Sequence, residues 1–115
     1  MPLSALSIRL TLPNGSRLGP GKADLLEAIR ESGSVGGAAK ALSMSYPRAL
    51  KLIGQLNEGF IEPLVITSHG GRSGGGAALT EAGARVLNAY RALQTASETA
   101  SAAPVSEIKA LAKPD

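Results

Sequence analysis

The spacing of apolar residues changes period along the chain, and each change marks an element. In "SIRLTLPNGSRLG", Ile8, Leu10 and Leu12 alternate with Ser7, Arg9 and Thr11. A period of two puts the apolar side chains on one face, so the stretch reads as a half-buried strand. Pro13, Asn14 and Gly15 end it in a turn. The period then lengthens. Leu25, Leu26 and Ile29 share one face of a helix over roughly residues 20–32. Pro20 suits its first turn, and Gly33 is its stop.

A second, short helix follows, with Ser34 as N-cap and Val35, Ala38, Ala39 and Leu42 in one stripe. Gly36 and Gly37, together with the alanines, suggest a very close helix crossing. After a three-residue turn, Ser45 caps a third helix over about 45–60, with Pro47 in the turn where a missing N–H costs nothing. At 100° per residue, Ala49, Ile53, Leu56 and Phe60 form its apolar face. Pro47, Arg48, Lys51, Gln55 and Glu58 form the opposite one.

Alternation returns in "LVITSHGGRSGGGAAL", where a strand through Val65 and Thr67 enters a loop and Ala77–Leu79 returns antiparallel. Thr80 then caps a last helix from Glu81 to about residue 100, with Val86, Leu87, Tyr90 and Leu93 on its apolar face. Pro104 is expected to break it and to leave 104–115 as a flexible tail beyond a domain of residues 1–103.

Composition narrows the function. A chain of 115 residues suits one domain, and aromatics at 3% leave the core to aliphatic side chains. The absence of cysteine removes disulfides and thiolate metal sites and fits a cytoplasmic protein. No stretch has the length of a membrane span, and the first residues lack a signal-peptide pattern. The net charge is +3, and residues 34–76 hold four basic groups against two acidic ones. That excess permits nucleic-acid binding without requiring it. The glycine cluster is not a P-loop, because no G-x-x-x-x-G-K-[ST] pattern occurs and the chain returns from it as a strand. No nucleophile elbow or metal pair is visible. The residues therefore give no catalytic group, no cofactor and no metal site.

The order strand, helix, helix, turn, helix, strand, glycine-rich loop, strand, helix is that of a winged helix-turn-helix, mainly α with a small β-hairpin wing and a long C-terminal helix. "GSVGGAAKALSMSYPRALKLIGQLNEGFIEPLV" followed by "GGRSGGGAALTEAG" resembles the DNA-binding domain of ModE-type, molybdate-responsive transcription regulators. The resemblance covers roughly residues 5–95. LysR-type regulators share the G-S-x-x-x-A-A-x-x-L-x-x-S pattern and an early proline such as Pro47. The N-terminal strand and the glycine-rich wing favour the ModE type. Full-length ModE-type regulators also carry an oxyanion-binding module, for which this chain leaves no sequence. The resemblance thus implies binding to double-stranded DNA, as a homodimer near the nucleoid, without molybdate sensing in this chain.

On this reading Ser45, Tyr46, Arg48, Lys51 and Gln55 face the major groove. Arg48 or Lys51 suits guanine, and Gln55 suits adenine. Ser45 is either an N-cap, a phosphate contact or both, and Tyr46 either meets DNA or packs on the preceding helix. Lys40 is either a phosphate contact or a solvated lysine. The wing, 69–76, places Arg72 on backbone or minor groove, with His69 and Gly70, Gly71, Gly74, Gly75 and Gly76 around it. The last helix, with the first, either forms the dimer interface or completes the monomer core. A protein-interaction module on the same scaffold is the competing class.

Overall fold

The computed structural model of the chain describes residues 6–68 and 76–114. The elements run β1 (Leu10–Thr11), β2 (Arg17–Leu18), α1 (Pro20–Ser32), α2 (Val35–Ala41), α3 (Tyr46–Glu58), β3 (Val65–Ser68), β4 (Gly76–Leu79) and α4 (Glu81–Leu111). The expected winged helix-turn-helix is present.

The first strand differs from its expected form. Its ladder is two residues long, pairing Leu10 with Leu18 and Thr11 with Arg17. Both β1 residues are exposed, while Leu18 on the unforeseen partner strand is buried. The alternation was real, but a two-residue ladder leaves Leu10 without a covering layer. The turn falls at Pro13, Asn14 and Gly15, as expected. Gly15 N–H donates to Leu12 O at 2.9 Å, and Gly15 takes φ +87°, the left-handed geometry of a three-residue hairpin loop. Asn14 docks this turn by donating its Nδ2 to Gly59 O at 2.8 Å, at the end of α3.

α1 supplies the centre of the core with Ala23, Leu25, Leu26 and Ile29, all fully buried. It stops at Gly33, whose N–H closes the last turn on Ile29 O at 2.9 Å and whose φ of +75° turns the chain out of the helix. In α2 the Ser34 hydroxyl accepts from Gly37 N–H at 2.9 Å, as an N-cap should. Val35, Ala38 and Ala39 are buried in the core beside α1. The glycines have a different cause from the one expected. A Cβ on Gly36 would meet nothing within 4 Å, and one on Gly37 would meet Ser34 Oγ at 2.8 Å and Ser32. Gly37 makes room for its own cap, and neither glycine admits a crossing helix.

The turn into α3 is a Schellman motif carried by a serine. Ser43 has φ +54°, its N–H donates to Lys40 O at 3.2 Å, and Met44 N–H donates to Ala39 O at 3.0 Å. α3 begins at Tyr46 and ends at Glu58, with Gly59 as C-cap, so Phe60 lies beyond the helix and packs on the core from the loop.

β3 and β4 form an antiparallel hairpin in the register Val65 to Leu79 and Ser68 to Gly76. The Thr80 hydroxyl accepts from Gly83 N–H at 3.0 Å and caps α4 as expected. Leu87 and Tyr90 are buried, and Val86 and Leu93 are partly so.

The last helix corrects its predicted end. It runs through Pro104 to Leu111 as 31 residues, about 46 Å at 1.5 Å per residue. Proline removes one intrahelical bond and crowds the carbonyl four residues back. That carbonyl belongs to Ala100, and both Ala100 and Pro104 are exposed, so water can take the lost partner's place. None of the described residues of α4 after Tyr90 is buried.

Candidate nucleic-acid interface

α3 turns Ala49, Ile53 and Leu56 into the core. That fixes what it turns out. Arg48, Lys51, Gln55 and Glu58 are exposed, as is Tyr46 at 53%. Tyr46 therefore keeps about half of its surface open to solvent. Ser45 is a structural cap, since its Oγ accepts from Arg48 N–H at 3.2 Å. An accepting hydroxyl still has its own proton to donate. Lys40 is exposed in the last turn of α2. Neither Arg48, Lys51 nor Lys40 forms an ion pair among the described residues, where the ion pairs lie on α1 and α4. These cations face solvent unneutralised.

The wing is held against α3 by a residue that periodicity did not single out. Asn57 Oδ1 accepts from Leu64 N–H at 2.9 Å and Val65 N–H at 3.0 Å, and Asn57 Nδ2 donates to Val65 O at 3.0 Å. Three bonds from one side chain set the start of β3 relative to α3. The far strand is held too. Ala77 N–H donates to Gly33 O at 2.8 Å, which ties β4 to the turn between α1 and α2. Thr80 closes the frame, its N–H donating to Leu64 O at 2.9 Å and its Oγ1 to Pro63 O at 2.7 Å. An amide at the last but one residue of α3, followed by "EPLV", was the only signal for the Asn57 clamp.

At the near end of the wing, Gly76 N–H donates to Ser68 Oγ at 3.1 Å. His69, Gly70, Gly71, Arg72, Gly74 and Gly75 lie outside the described residues. α4 is braced on α1 by Arg91, which reaches Asp24 at 2.9 Å and Glu27 at 3.3 Å. Burial works against the Arg91 charge, but these carboxylates outweigh it and hold its pKa above the usual value. Tyr90 beside it donates to Ile8 O at 2.5 Å and anchors the N-terminal segment. No helix among the described residues is long and apolar enough to cross a membrane.

Comparison with known proteins agrees with this geometry. The family described as "Bacterial regulatory helix-turn-helix protein, lysR family" matches residues 22–84. The molybdenum transport protein ModE of Azotobacter vinelandii is 44% identical over 80 residues, covering 70% of this chain and 30% of that protein. The molybdenum-pterin-binding protein MopA of Rhodobacter capsulatus is 38% identical over 94 residues, covering 82% of this chain and 35% of its own. This chain thus spans about a third of the length of these relatives. The full-length LysR-type regulator LysG of Corynebacterium glutamicum, with bound effector Arg, superposes with a TM-score of 0.57 at 25% identity. That match covers 79% of this chain and 29% of LysG. The two resemblances read from the sequence are therefore compatible: the chain is ModE-like and belongs to the lysR family of bacterial regulatory helix-turn-helix proteins.

Proposed function

We propose that the chain is a sequence-specific DNA-binding transcription regulator of the ModE and LysR type that lays α3 in the major groove of double-stranded DNA. The observation that carries this reading is the outer face of α3, where Arg48 and Lys51 stand exposed and unpaired on a helix whose other face is core. From Tyr46 to Gln55 the helix covers about 14 Å, the length of about four base pairs. Arg48 and Lys51 suit guanine O6 and N7, and Gln55 suits adenine. Ser45, with its free proton, and Lys40 suit phosphates, which position the protein without specifying sequence. Glu58 repels phosphate, so the last turn of α3 leaves the groove. Arg72, with His69 and the wing glycines, is assigned to backbone or minor groove.

The same reading makes the protein a cytoplasmic homodimer. The second half of α4 supports it, because Ile108 and Leu111 are 68% and 81% exposed among the described residues. A helix of that length is marginal in water unless a face is covered. Residues 1–103 then form the DNA-binding domain, and the rest extends from it.

The test is a mobility shift on duplexes selected from random DNA, comparing wild type with Arg48→Ala, Lys51→Ala and Arg72→Ala. Each change should weaken binding, and removing a phosphate contact should reduce the salt slope by about one. Binding unaltered by all three would sink the assignment.

A further inference from the structure

The exposed face of α3 is not uniformly polar. Arg48 and Gln55 lie within about 20° of each other along one edge, with Lys51 inward of them. The other edge carries Tyr46 and, one turn later, Leu50, an aliphatic side chain left 42% exposed. Asn57 comes two turns after Leu50 on nearly the same side, and its bonds to Leu64 and Val65 identify that side as the one facing the wing. One turn beyond Leu50 stands Gly54, where an added Cβ would meet nothing within 4 Å. Glycine in a helix interior is destabilising relative to alanine, and no neighbour among the described residues needs the space. Among the described residues, the fold uses neither the exposed leucine nor the clearance beside it.

We propose that the wing-side edge of α3 reads thymine, with Leu50 seated against a thymine C5-methyl group and Gly54 leaving room for the base edge next to it. The inference rests on the DNA-binding reading and deepens it. Base edges in the major groove display hydrogen-bonding groups and one apolar group, the thymine methyl. A leucine on a base-reading face has that single partner available. Its neighbours favour DNA over a protein partner, because Arg48 and Lys51 lie within one turn and carry no counter-charge among the described residues. The face thus divides its work: the Arg48 and Gln55 edge reads purine acceptors and amino groups, and the Leu50 edge reads methyl groups.

The experiment uses the full chain and the duplex it selects from random DNA. Each thymine of that duplex is replaced in turn by deoxyuridine, which removes the methyl and nothing else. At one or two positions per half-site, wild-type binding should weaken about three- to fivefold, the value of one buried methyl. In Leu50→Ala the same replacements should have no effect, while the salt slope stays that of wild type. Circular dichroism checks that the variant folds, and the scan on wild type needs no variant. A duplex bound with no methyl-sensitive thymine overturns the proposal, as does sensitivity that persists in Leu50→Ala; both leave DNA binding standing. Failure of wild type to select any duplex overturns both.

Discussion

Two glycines in helices should respond to alanine with opposite signs. Gly83 sits in the first turn of α4, where an added Cβ would lie 2.1 Å from Leu64 O and 3.0 Å from Leu64 C. The contact is with backbone, so no side-chain rotation relieves it. Restoring an ordinary separation moves the start of α4 off β3 by about 1 Å, the distance short of close contact. That shift strikes the bonds from Thr80 N–H and Oγ1 to Leu64 O, at 2.9 and 3.3 Å. Each is worth about 1 kcal/mol. Leu64 and Leu87, both buried, would lose their fit, at about 1–3 kcal/mol for an overpacked site. Alanine returns about 1 kcal/mol through helix propensity. The net loss is about 2–4 kcal/mol. Gly54→Ala meets nothing and keeps only the propensity gain, about 0.5–1 kcal/mol. Urea unfolding followed by circular dichroism, at one protein concentration so that any dimerisation is held constant, reads both. The midpoint should fall by roughly 1–3 M for Gly83→Ala and rise slightly for Gly54→Ala. A Gly83→Ala protein as stable as wild type would refute the close approach of α4 to β3.

Asn57→Ala should cost about 2–4 kcal/mol by removing three hydrogen bonds to Leu64 and Val65, and hydrogen exchange should show β3 amides losing protection. Asn57→Asp keeps the two acceptor bonds and should fall between. Ser43→Gly should raise stability by up to about 1 kcal/mol, because Ser43 holds φ +54°, whereas Ser43→Val should lower it by about 1–2 kcal/mol in thermal unfolding. Tyr90→Phe should cost about 1 kcal/mol and speed proteolysis of the first dozen or so residues, which the bond to Ile8 O anchors. Burial raises the Tyr90 phenol pKa above 10.0, with Asp24 adding to the effect and Arg91 opposing it. The stability linked to the neutral phenol is therefore complete below pH 10 and lost as pH rises from there through the raised value, a loss that Tyr90→Phe should abolish in high-pH denaturation. On the proposed homodimer, Ile108→Asp with Leu111→Asp should convert dimer to monomer in sedimentation.

What could be read from the sequence was what local rules govern. Ser34, Ser45 and Thr80 each bond to an N–H three residues on, so a cap needs only its own first turn to be recognised. The core face of α3 followed from period alone. The misses have separate physical causes. β2 is two residues long and has no period to detect. Pro104 was read by its local cost, but an exposed carbonyl can be hydrated, so the helix continues. Gly37 was read as a crossing point when it clears its own cap. The site divided in the same way. Arg48, Lys51 and Gln55 stand out because charge and amide groups gather on one face, and that face is exposed. Leu50 does not, because an aliphatic residue in a helix reads as core until its exposure is known.

The clamps on the wing have a common chemistry that separates stability from specificity. Asn57 holds Leu64 and Val65 by their main chain, Thr80 holds Pro63 and Leu64 by theirs, and Gly33 and Ala77 meet backbone to backbone. Asn14 does the same at the end of α3, through Gly59 O. Main-chain groups are the same whatever side chain a position carries, so the placement of wing against helix does not depend on what either presents outward. Conversely, Arg48, Lys51 and Gln55 lend the core nothing and pair with nothing among the described residues. Changes at those positions should stay within about 0.5 kcal/mol in stability while altering which sequence is bound. A frame built on backbone contacts is what lets the outward-facing residues change without moving the surface that carries them.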